Sequence, residues 1–232
     1  MLLRKPRSYD EIYNDLDSEM VNLFRVVRDR GSELREKLEI TPFAREEFKE
    51  AYLETCDPLE RARRTVIKSF MGFGSNGIHQ TTGFRFNSRR SGTSPSHDWR
   101  NFPECLGAVI ERMRGVVIEN RDATECILAN DHESTLHYVD PPYVKSTRTD
   151  VGDDYAYEMD DAAHERLRDT LAEVRGMVII SLYEHPIYDA LGWEKRFKKA
   201  LANGASERTE CLYLSPACVS ASQPSLGMEE SA

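Results

Sequence analysis

The first third of the chain places apolar residues at helical spacing. Between residues 18 and 39 they recur every three or four positions, which predicts an amphipathic helix. Ser18 is the predicted N-cap of this helix, and Gly31 is a predicted break in it. The same spacing predicts two further helices, at residues 43–56 and 58–71.

After residue 103 the pattern changes to short apolar runs that alternate with amphipathic stretches. The runs predict strands, and the stretches between them predict helices. Such alternation is typical of an α/β fold with a mainly parallel sheet and helices on both faces. Residues 9–17, before the helices above, predict a short strand that runs into a polar turn. The other predicted strands are residues 116–120, 135–139, 177–183 and 207–216.

Residues 72–103 fit neither pattern. They are rich in Gly, Ser, Thr and Asn, with aromatic residues among arginines, which predicts a long loop or a ribbon with a turn near Asn76. Loops of this length in compact domains are usually functional or disordered. We therefore predict a sheet domain of residues 1–29 and 104–216, an inserted recognition subdomain at residues 30–103, and a disordered tail at residues 217–232.

The composition limits the class of protein. The chain has 232 residues and a formal net charge of −9, and no apolar run approaches the ~20 residues that a membrane span needs. Its five cysteines are scattered and never spaced C-x-x-C, and its histidines show no metal-ligand spacing. We therefore expect reduced thiols, a cytoplasmic protein and no metal site.

The charge is unevenly distributed along the chain. Residues 61–100 contain eight basic residues and a single acid, Asp98, although the chain as a whole is acidic. Such a block can bind phosphates whatever the net charge, and it can equally be a solvated surface that binds nothing. The charge pattern by itself leaves both interpretations open.

Three predicted strands are followed by an aspartate, namely Asp15, Asp122 and Asp140. Ligands of open α/β sheets bind at the carboxyl ends of the strands, and one carboxylate can accept both hydroxyls of a ribose. This placement predicts a nucleoside-binding edge of the sheet. The alternative is that each residue is an ordinary turn aspartate.

The third strand end reads "HYVDPPYVKST", at residues 137–147. Two prolines stiffen the turn and remove N–H donors. The Asp140 carboxylate and the Pro141 carbonyl can then both accept hydrogen bonds from one exocyclic amine. Tyr143 can lie against the ring that bears the amine. An ordinary turn capped by a tyrosine is the alternative.

This stretch resembles the catalytic motif of amino-methyltransferases that use S-adenosylmethionine, and its DPPY form is typical of the DNA adenine methyltransferase family, D12 class. "EIYNDLDSEMVNLFRVVRD", "MGFGSNG…GFRFN", "VVIENRDATECI" and "ERTECLYLSP" resemble further segments of that family in the same order, the last with Tyr213 where Trp is usual. The resemblance covers residues 9–216. It implies a Rossmann-like S-adenosylmethionine methyltransferase sheet with an inserted helical and loop subdomain that recognises DNA.

The resemblance also implies roles for individual residues. Asp140 and the Pro141 carbonyl would hold the N6 amine of an adenine flipped out of duplex DNA, and Tyr143 would stack on that base. Asp15 would bind the ribose of S-adenosylmethionine, and Asp122 its adenine amine. The residues that would contact DNA are Arg61, Arg64, Lys68, Asn76, Arg85, Arg89 and Arg90.

One segment of the family has no counterpart in this sequence. The family carries a glycine-rich loop, Phe-x-Gly-x-Gly, on a first strand that should precede "EIYNDLD". We therefore expect a chain truncated at its N-terminus relative to the family. Several alternatives therefore stay open. The chain is an active enzyme, or it is an inactive or split remnant that binds DNA, in which case a complementing chain could supply the missing first strand. The substrate could also be RNA or a protein glutamine instead of DNA.

Overall fold

The computed structural model describes residues 2–73, 77–86, 94–147, 156–201 and 207–222. The chain divides into two compact units, residues 1–123 with 154–156 and residues 124–153 with 157–232. Each unit has its own hydrophobic core. The domain boundaries predicted at residues 29/30 and 103/104 both fall within helices of the first unit, and the predicted division stays a prediction.

The first unit combines helices with a two-stranded parallel sheet. Its described elements are a 3-10 helix (Leu2–Arg4), β1 (Ile12–Asn14), α1 (Ser18–Glu39), α2 (Arg45–Glu50), α3 (Pro58–Met71), α4 (Pro95–Met113) and β2 (Val117–Glu119). Helix α1 packs against α3 and α4 and also contacts β2. Because β1 and β2 are parallel, their carboxyl ends lie at the same edge.

Helix α1 has the predicted bounds and a kink beside the predicted break, but its predicted N-cap is wrong. Asp17, and not Ser18, is the N-cap, because its carboxylate accepts a backbone N–H of the first turn at 2.9 Å. The predicted break is confirmed to within one residue, because Arg30, directly before Gly31, has non-helical dihedral angles (φ −134°, ψ 30°) and kinks the helix. Gly31 also allows close packing, since a Cβ there would lie 2.5 Å from Cγ1 of Ile110 on α4.

The apolar faces of these helices form the first core. Leu34 and Leu38 of α1, Ile67 and Met71 of α3, and Met113 of α4 are each at most 1% exposed. Full burial of such a side chain contributes roughly 1.5–3 kcal/mol relative to exposure. The helical faces that the spacing predicts are therefore the surfaces that hold this unit together.

The predicted long loop is partly helical and partly a ribbon. Helix α4 already begins at Pro95, within the predicted loop. Trp99 is buried there, and its indole N–H donates to the carbonyl of Thr41 at 2.8 Å. This tertiary contact stabilises a helix that the polar composition does not predict. Gly72 and Phe84 form an antiparallel bridge, which gives the first part of the segment its ribbon geometry.

The second unit is built on a four-stranded mixed sheet. Its described elements are α5 (Ala123–Ala129, whose first residue belongs to the first unit), β3 (Leu136–Val139), a 3-10 helix (Lys145–Thr147), α6 (Asp161–Glu173), β4 (Met177–Leu182), α7 (Pro186–Asp189), β5 (Glu194–Leu201), β6 (Glu207–Leu214) and α8 (Pro216–Ser222). The strand order is β3-β4-β6-β5.

The predicted α/β class is confirmed, but a mainly parallel sheet is wrong for the second unit. β3 and β4 are parallel, whereas β6 is antiparallel to both β4 and β5. β5 and β6 are joined by a short connection, which can link antiparallel but not parallel neighbours. The Rossmann-like arrangement of the whole chain stays a prediction.

Four described elements of the second unit were not predicted from the sequence, namely the 3-10 helix, α7, β5 and α8. β5 reads "EKRFKKAL", and its many charged residues suit an edge strand, where charge discourages further pairing. Helix α8 lies in the segment predicted to be disordered, and it packs against β4. The prediction of a disordered tail is therefore wrong for α8, and residues 223–232 lie outside the described part of the chain.

The second core is formed by side chains of β3, β4 and β6 together with side chains of α6 and α7. Val178, Ile180 and Leu182 alternate along β4, and each is at most 1% exposed. Tyr188 and Tyr213 are fully buried in the same cluster. Among the described residues, no helix combines the length and the apolar character required to cross a bilayer.

Candidate functional site

Asp15 lies at the carboxyl end of β1, in the first unit. Its Oδ2 accepts the hydroxyl of Tyr13 at 2.8 Å, and its Oδ1 accepts the backbone N–H of Asp17 at 2.9 Å. Burial, and then the charge of Asp15, raise the pKa of Tyr13, so this phenol remains a neutral donor. Each carboxylate oxygen can accept a second hydrogen bond, so the half-buried Asp15 retains acceptor capacity for a ligand.

Two asparagines join the ends of β1 and β2. Asn120 donates through Nδ2 to the carbonyl of Asp15 at 2.8 Å. Asn14 donates to the carbonyl of Arg121 at 3.0 Å and accepts the Arg121 N–H at 3.2 Å. Sequence reasoning missed both asparagines. The sequence feature that could have identified them is their position at the end of a short strand, where a side-chain amide can form hydrogen bonds with the neighbouring backbone.

Asp122 lies at the same edge as Asp15. It is exposed, and it directly precedes α5. Asn14 pairs in register with Glu119, so the residues that follow each strand leave the sheet side by side. The first unit thus carries both predicted cofactor ligands at the carboxyl edge of one parallel pair. Their roles stay predictions.

Asp140 directly follows β3, at the carboxyl edge of the second unit's parallel pair. Val139 lies opposite Ile180 of β4, and the side chain of Pro141 is buried. Asp140 as a residue is exposed, but its carboxyl is partly desolvated; this, and then the charge of Glu210 on β6, raise its pKa. Two carboxyl groups that repel each other favour a ligand that donates hydrogen bonds.

Tyr143 is half-buried in the loop after the two prolines. Its ring centroid lies 4.4 Å from that of Tyr183, which follows β4, with the planes tilted by 37°. Val144, next in the chain, is 1% exposed and belongs to the second core. Ser146 Oγ lies 3.1 Å from Nε2 of His185. All three predicted catalytic residues therefore lie in one loop of the second unit, and Tyr183 and His185 contact this loop. Sequence reasoning missed both of these supporting residues.

Two of the predicted DNA contacts already have partners within the first unit. Arg61 forms an ion pair with Glu19. Arg64 donates to a carboxylate oxygen of Glu60 at 2.9 Å and to the carbonyl of Leu53. A DNA phosphate would have to compete with these intramolecular acceptors.

The other predicted DNA contacts differ in exposure. Lys68 is half-buried, with its ammonium 5.7 Å from the ring centroid of Tyr52, and burial lowers its pKa. Arg85 is exposed on the ribbon, and its backbone N–H donates to the carbonyl of Met71 at 2.6 Å. Three predicted contacts lie outside the described residues, namely Asn76, Arg89 and Arg90.

A groove of about 320 Å³ lies between α2 and the ribbon. Its aromatic lining includes Phe48, Tyr52 and Phe84, and its basic lining is Arg45 and Lys49. The Arg45 guanidinium lies 4.9 Å from the ring centroid of Phe84. Sequence reasoning missed this groove, because α2 contributes its two basic residues from outside the basic block.

A model of the family described as D12 class N6 adenine-specific DNA methyltransferase matches residues 2–201. The match spans both of the aspartates at the β1–β2 edge and the Asp-Pro-Pro-Tyr loop after β3. No curated protein matches the chain. Because the family match covers well over half of the 232 residues, the chain belongs to the D12 class of N6 adenine-specific DNA methyltransferases.

Proposed function

We propose that this chain transfers the methyl group of S-adenosylmethionine to N6 of an adenine flipped out of duplex DNA. Membership of the family indicates DNA adenine methylation. The observation that carries the finer proposal is the loop after β3. It holds an exposed acceptor, Asp140, beside a stiff pair of prolines and the half-buried ring of Tyr143.

The loop would act mainly by positioning the base. Asp140 and the carbonyl of Pro141 would accept the two hydrogens on N6 and orient the nitrogen lone pair, because an aromatic amine is a poor nucleophile. The carboxylate would also stabilise the positive charge that develops on N6. Tyr143 would stack on the base once it has left the helix. Bound S-adenosylmethionine supplies an electrophilic methyl group.

The edge of the β1–β2 pair fits the nucleoside part of S-adenosylmethionine. Asp15 is half-buried, and Tyr13 and a backbone N–H hold its carboxylate in place without using all of its acceptor capacity. We propose that it accepts the two ribose hydroxyls, as carboxylates in this position of α/β sheets commonly do. Asp122 would accept the exocyclic amine of the cofactor's adenine.

The ribbon and α3 would contact the duplex. Phe73 and Phe86 on the ribbon are 57% and 65% exposed, beside the exposed Arg85. Exposed aromatic and basic side chains together are suited to unstacked bases and to phosphates. The proposed set of DNA contacts is the predicted one, namely Arg61, Arg64, Lys68, Asn76, Arg85, Arg89 and Arg90.

The first experiment incubates the chain with labelled S-adenosylmethionine and unmethylated duplex DNA, followed by digestion to nucleosides. Label in N6-methyladenine is the expected result. DNA binding without any transfer would instead support a remnant that acts as a DNA-binding module. Transfer to RNA or to a protein glutamine but not to DNA would overturn the proposed substrate.

A separate experiment tests the cofactor site by calorimetry. Asp15→Asn should weaken S-adenosylmethionine binding roughly tenfold or more, because hydrogen bonds to a charged group contribute about 1.5–3 kcal/mol. Asp10→Asn, an exposed acid of the same unit, is the control and should bind normally. Equal affinity of the two variants would contradict the role of Asp15.

The position of β3 favours a second candidate, in which a complementing chain supplies a further strand. In the described residues β3 lies at one edge of its sheet, and Leu136 and Tyr138 on it are 38% and 40% exposed. An added strand would pair with the backbone of such an edge. A peptide that carries a Phe-x-Gly-x-Gly strand of the family should slow hydrogen exchange of the β3 amides. Unchanged exchange would argue against this candidate.

A further inference from the structure

Two side chains that follow β4 contact the loop that carries Asp140. The ring of Tyr183 packs on the ring of Tyr143, with centroids 4.4 Å apart. His185 Nε2 lies 3.1 Å from Ser146 Oγ, three residues further along the same loop. The loop is therefore held at two points by one short segment, residues 183–185.

The hydrogen-bond geometry fixes the tautomer of His185. Its Nδ1 accepts the backbone N–H of Ile187 at 3.3 Å, as the N-cap of α7. In a neutral imidazole the other nitrogen then carries the proton. His185 Nε2–H is therefore the donor, and the Ser146 hydroxyl is the acceptor.

The segment is itself held rigidly by β6. The backbone N–H of His185 donates to the hydroxyl of Tyr213 at 3.1 Å, and this hydroxyl donates to Asp189 Oδ1 at 2.7 Å. Tyr213 is fully buried. Its phenol both accepts and donates, which an indole at this position could not do. The chain of contacts therefore runs from the buried sheet to the loop beside Asp140.

We propose that Tyr183 is a positioning residue, which fixes the plane of the Tyr143 ring so that its opposite face is presented to the target base, with His185 as the second tie. This inference rests on the proposed function, because it assumes that Tyr143 stacks on an adenine. The interaction of a tilted aromatic pair at this distance can change the equilibrium between the held and the released ring roughly two- to tenfold. Rigid support of a side chain that binds a ligand increases affinity through pre-organisation.

The first test needs neither cofactor nor DNA. 3-Fluorotyrosine is placed at position 143, and its fluorine spectrum is recorded in the unmutated chain, in Tyr183→Ala, in Tyr183→Phe and in Tyr157→Ala. Tyr157 is a partly exposed tyrosine of the same unit and serves as the matched control. Loss of the neighbouring ring in Tyr183→Ala should shift and broaden the signal, whereas Tyr183→Phe and Tyr157→Ala should leave it nearly unchanged.

The second test has two measurements. Duplex DNA with 2-aminopurine in place of the target adenine reports base flipping by fluorescence, and duplex DNA with adenine at that position reports steady-state methylation. Tyr183→Ala should lower kcat/KM roughly three- to tenfold, and the rise in 2-aminopurine fluorescence on binding should change with it. The unmutated rate should return in Tyr183→Phe. Affinity for S-adenosylmethionine should be unchanged, which separates a positioning role from general loss of structure.

The outcomes separate the two proposals. A fluorine signal in Tyr183→Ala that matches the unmutated chain overturns the positioning role whatever the activity. An active unmutated chain with equal rates in Tyr183→Ala and Tyr157→Ala overturns it as well. An unmutated chain that methylates no DNA contradicts the proposed function, and the fluorine signal still decides whether Tyr183 fixes the ring of Tyr143.

Discussion

The guanidinium of Arg112, on α4, donates to both carboxylate oxygens of Glu11, at 2.6 and 2.7 Å. Glu11 directly precedes β1, and its side chain is only 6% exposed. Lys5 also pairs with this carboxylate. Arg112 in particular lowers the pKa of Glu11 to about 2. The pair therefore anchors the start of β1, the strand that leads to Asp15, against α4.

Glu11→Gln should lower the free energy of unfolding by about 3 kcal/mol, because removal of one partner of a buried ion pair leaves the other without compensation. Denaturant unfolding measures this difference. Glu111→Gln is the control, since Glu111 is exposed on the same helix as Arg112 and pairs with Arg114 at the surface. The control should change stability by no more than about 0.5 kcal/mol. Equal stability of the two variants would show that the Glu11 pair contributes little.

The same pair predicts a pH dependence. The pKa of Glu11 falls from 4.5 to about 2 on folding, so between these values the unfolded chain binds more protons than the folded chain. The stabilisation is therefore fully present above pH 4.5 and is lost as the pH falls towards 2. The difference in stability between the unmutated chain and Glu11→Gln should shrink as the pH falls from 4.5 to about 2. A constant difference over this range would contradict the prediction.

Asp140→Ala should lower the rate of methyl transfer at least about a hundredfold, because it removes the carboxylate that would hold N6. It should not destabilise the chain, since the Asp140 carboxyl is partly desolvated and lies near the charge of Glu210. Label in N6-methyladenine measures the first effect, and thermal unfolding the second. Asp169→Ala, at an exposed acid on α6, should keep full activity. Near-normal transfer by Asp140→Ala would show that the motif has another role.

Glu210→Gln should move the acid limb of the pH–rate profile to lower pH. After partial desolvation, the charge of Glu210 is the second cause that raises the pKa of Asp140, and the amide removes it. A lower pKa keeps Asp140 ionised, and able to accept from N6, in more acidic solution. The profile of kcat/KM measures the shift, and Glu194→Gln, an exposed acid on β5, should leave it in place. An acid limb that does not move would mean that another group controls it.

Arg85→Gln should weaken binding to duplex DNA and reduce the slope of log affinity against log salt by about one. Arg85 is exposed on the ribbon, so its guanidinium can reach a phosphate without breaking a buried contact. Titration of labelled duplex at several salt concentrations measures both quantities. Arg166→Gln, an exposed arginine on α6, is the control and should leave affinity and slope unchanged. An unchanged slope in Arg85→Gln would exclude a phosphate contact at this position.

Much of the fold was predictable because the signals are local. The spacing of apolar residues predicts the bounds of α1 and α3, since a helix that buries one face must repeat every three or four residues. Short apolar runs predict β3 and β4, and prolines 141 and 142 mark where β3 ends. The placement of Asp15, Asp122 and Asp140 at the carboxyl ends of strands follows from these same runs.

Other features depend on contacts between distant parts of the chain. The early start of α4 depends on the bond between Trp99 and Thr41. The direction of β6 depends on its pairing with β5, whose charged sequence does not resemble a strand. The support of Tyr143 by Tyr183 joins the ends of two separate strands. By itself the sequence determined the main periodic helices and strands and the position of the DPPY loop, because these depend on neighbours along the chain. Only the tertiary structure decided which strands pair, which polar segments become ordered and which side chains support the loop, because these depend on packing across long separations in sequence.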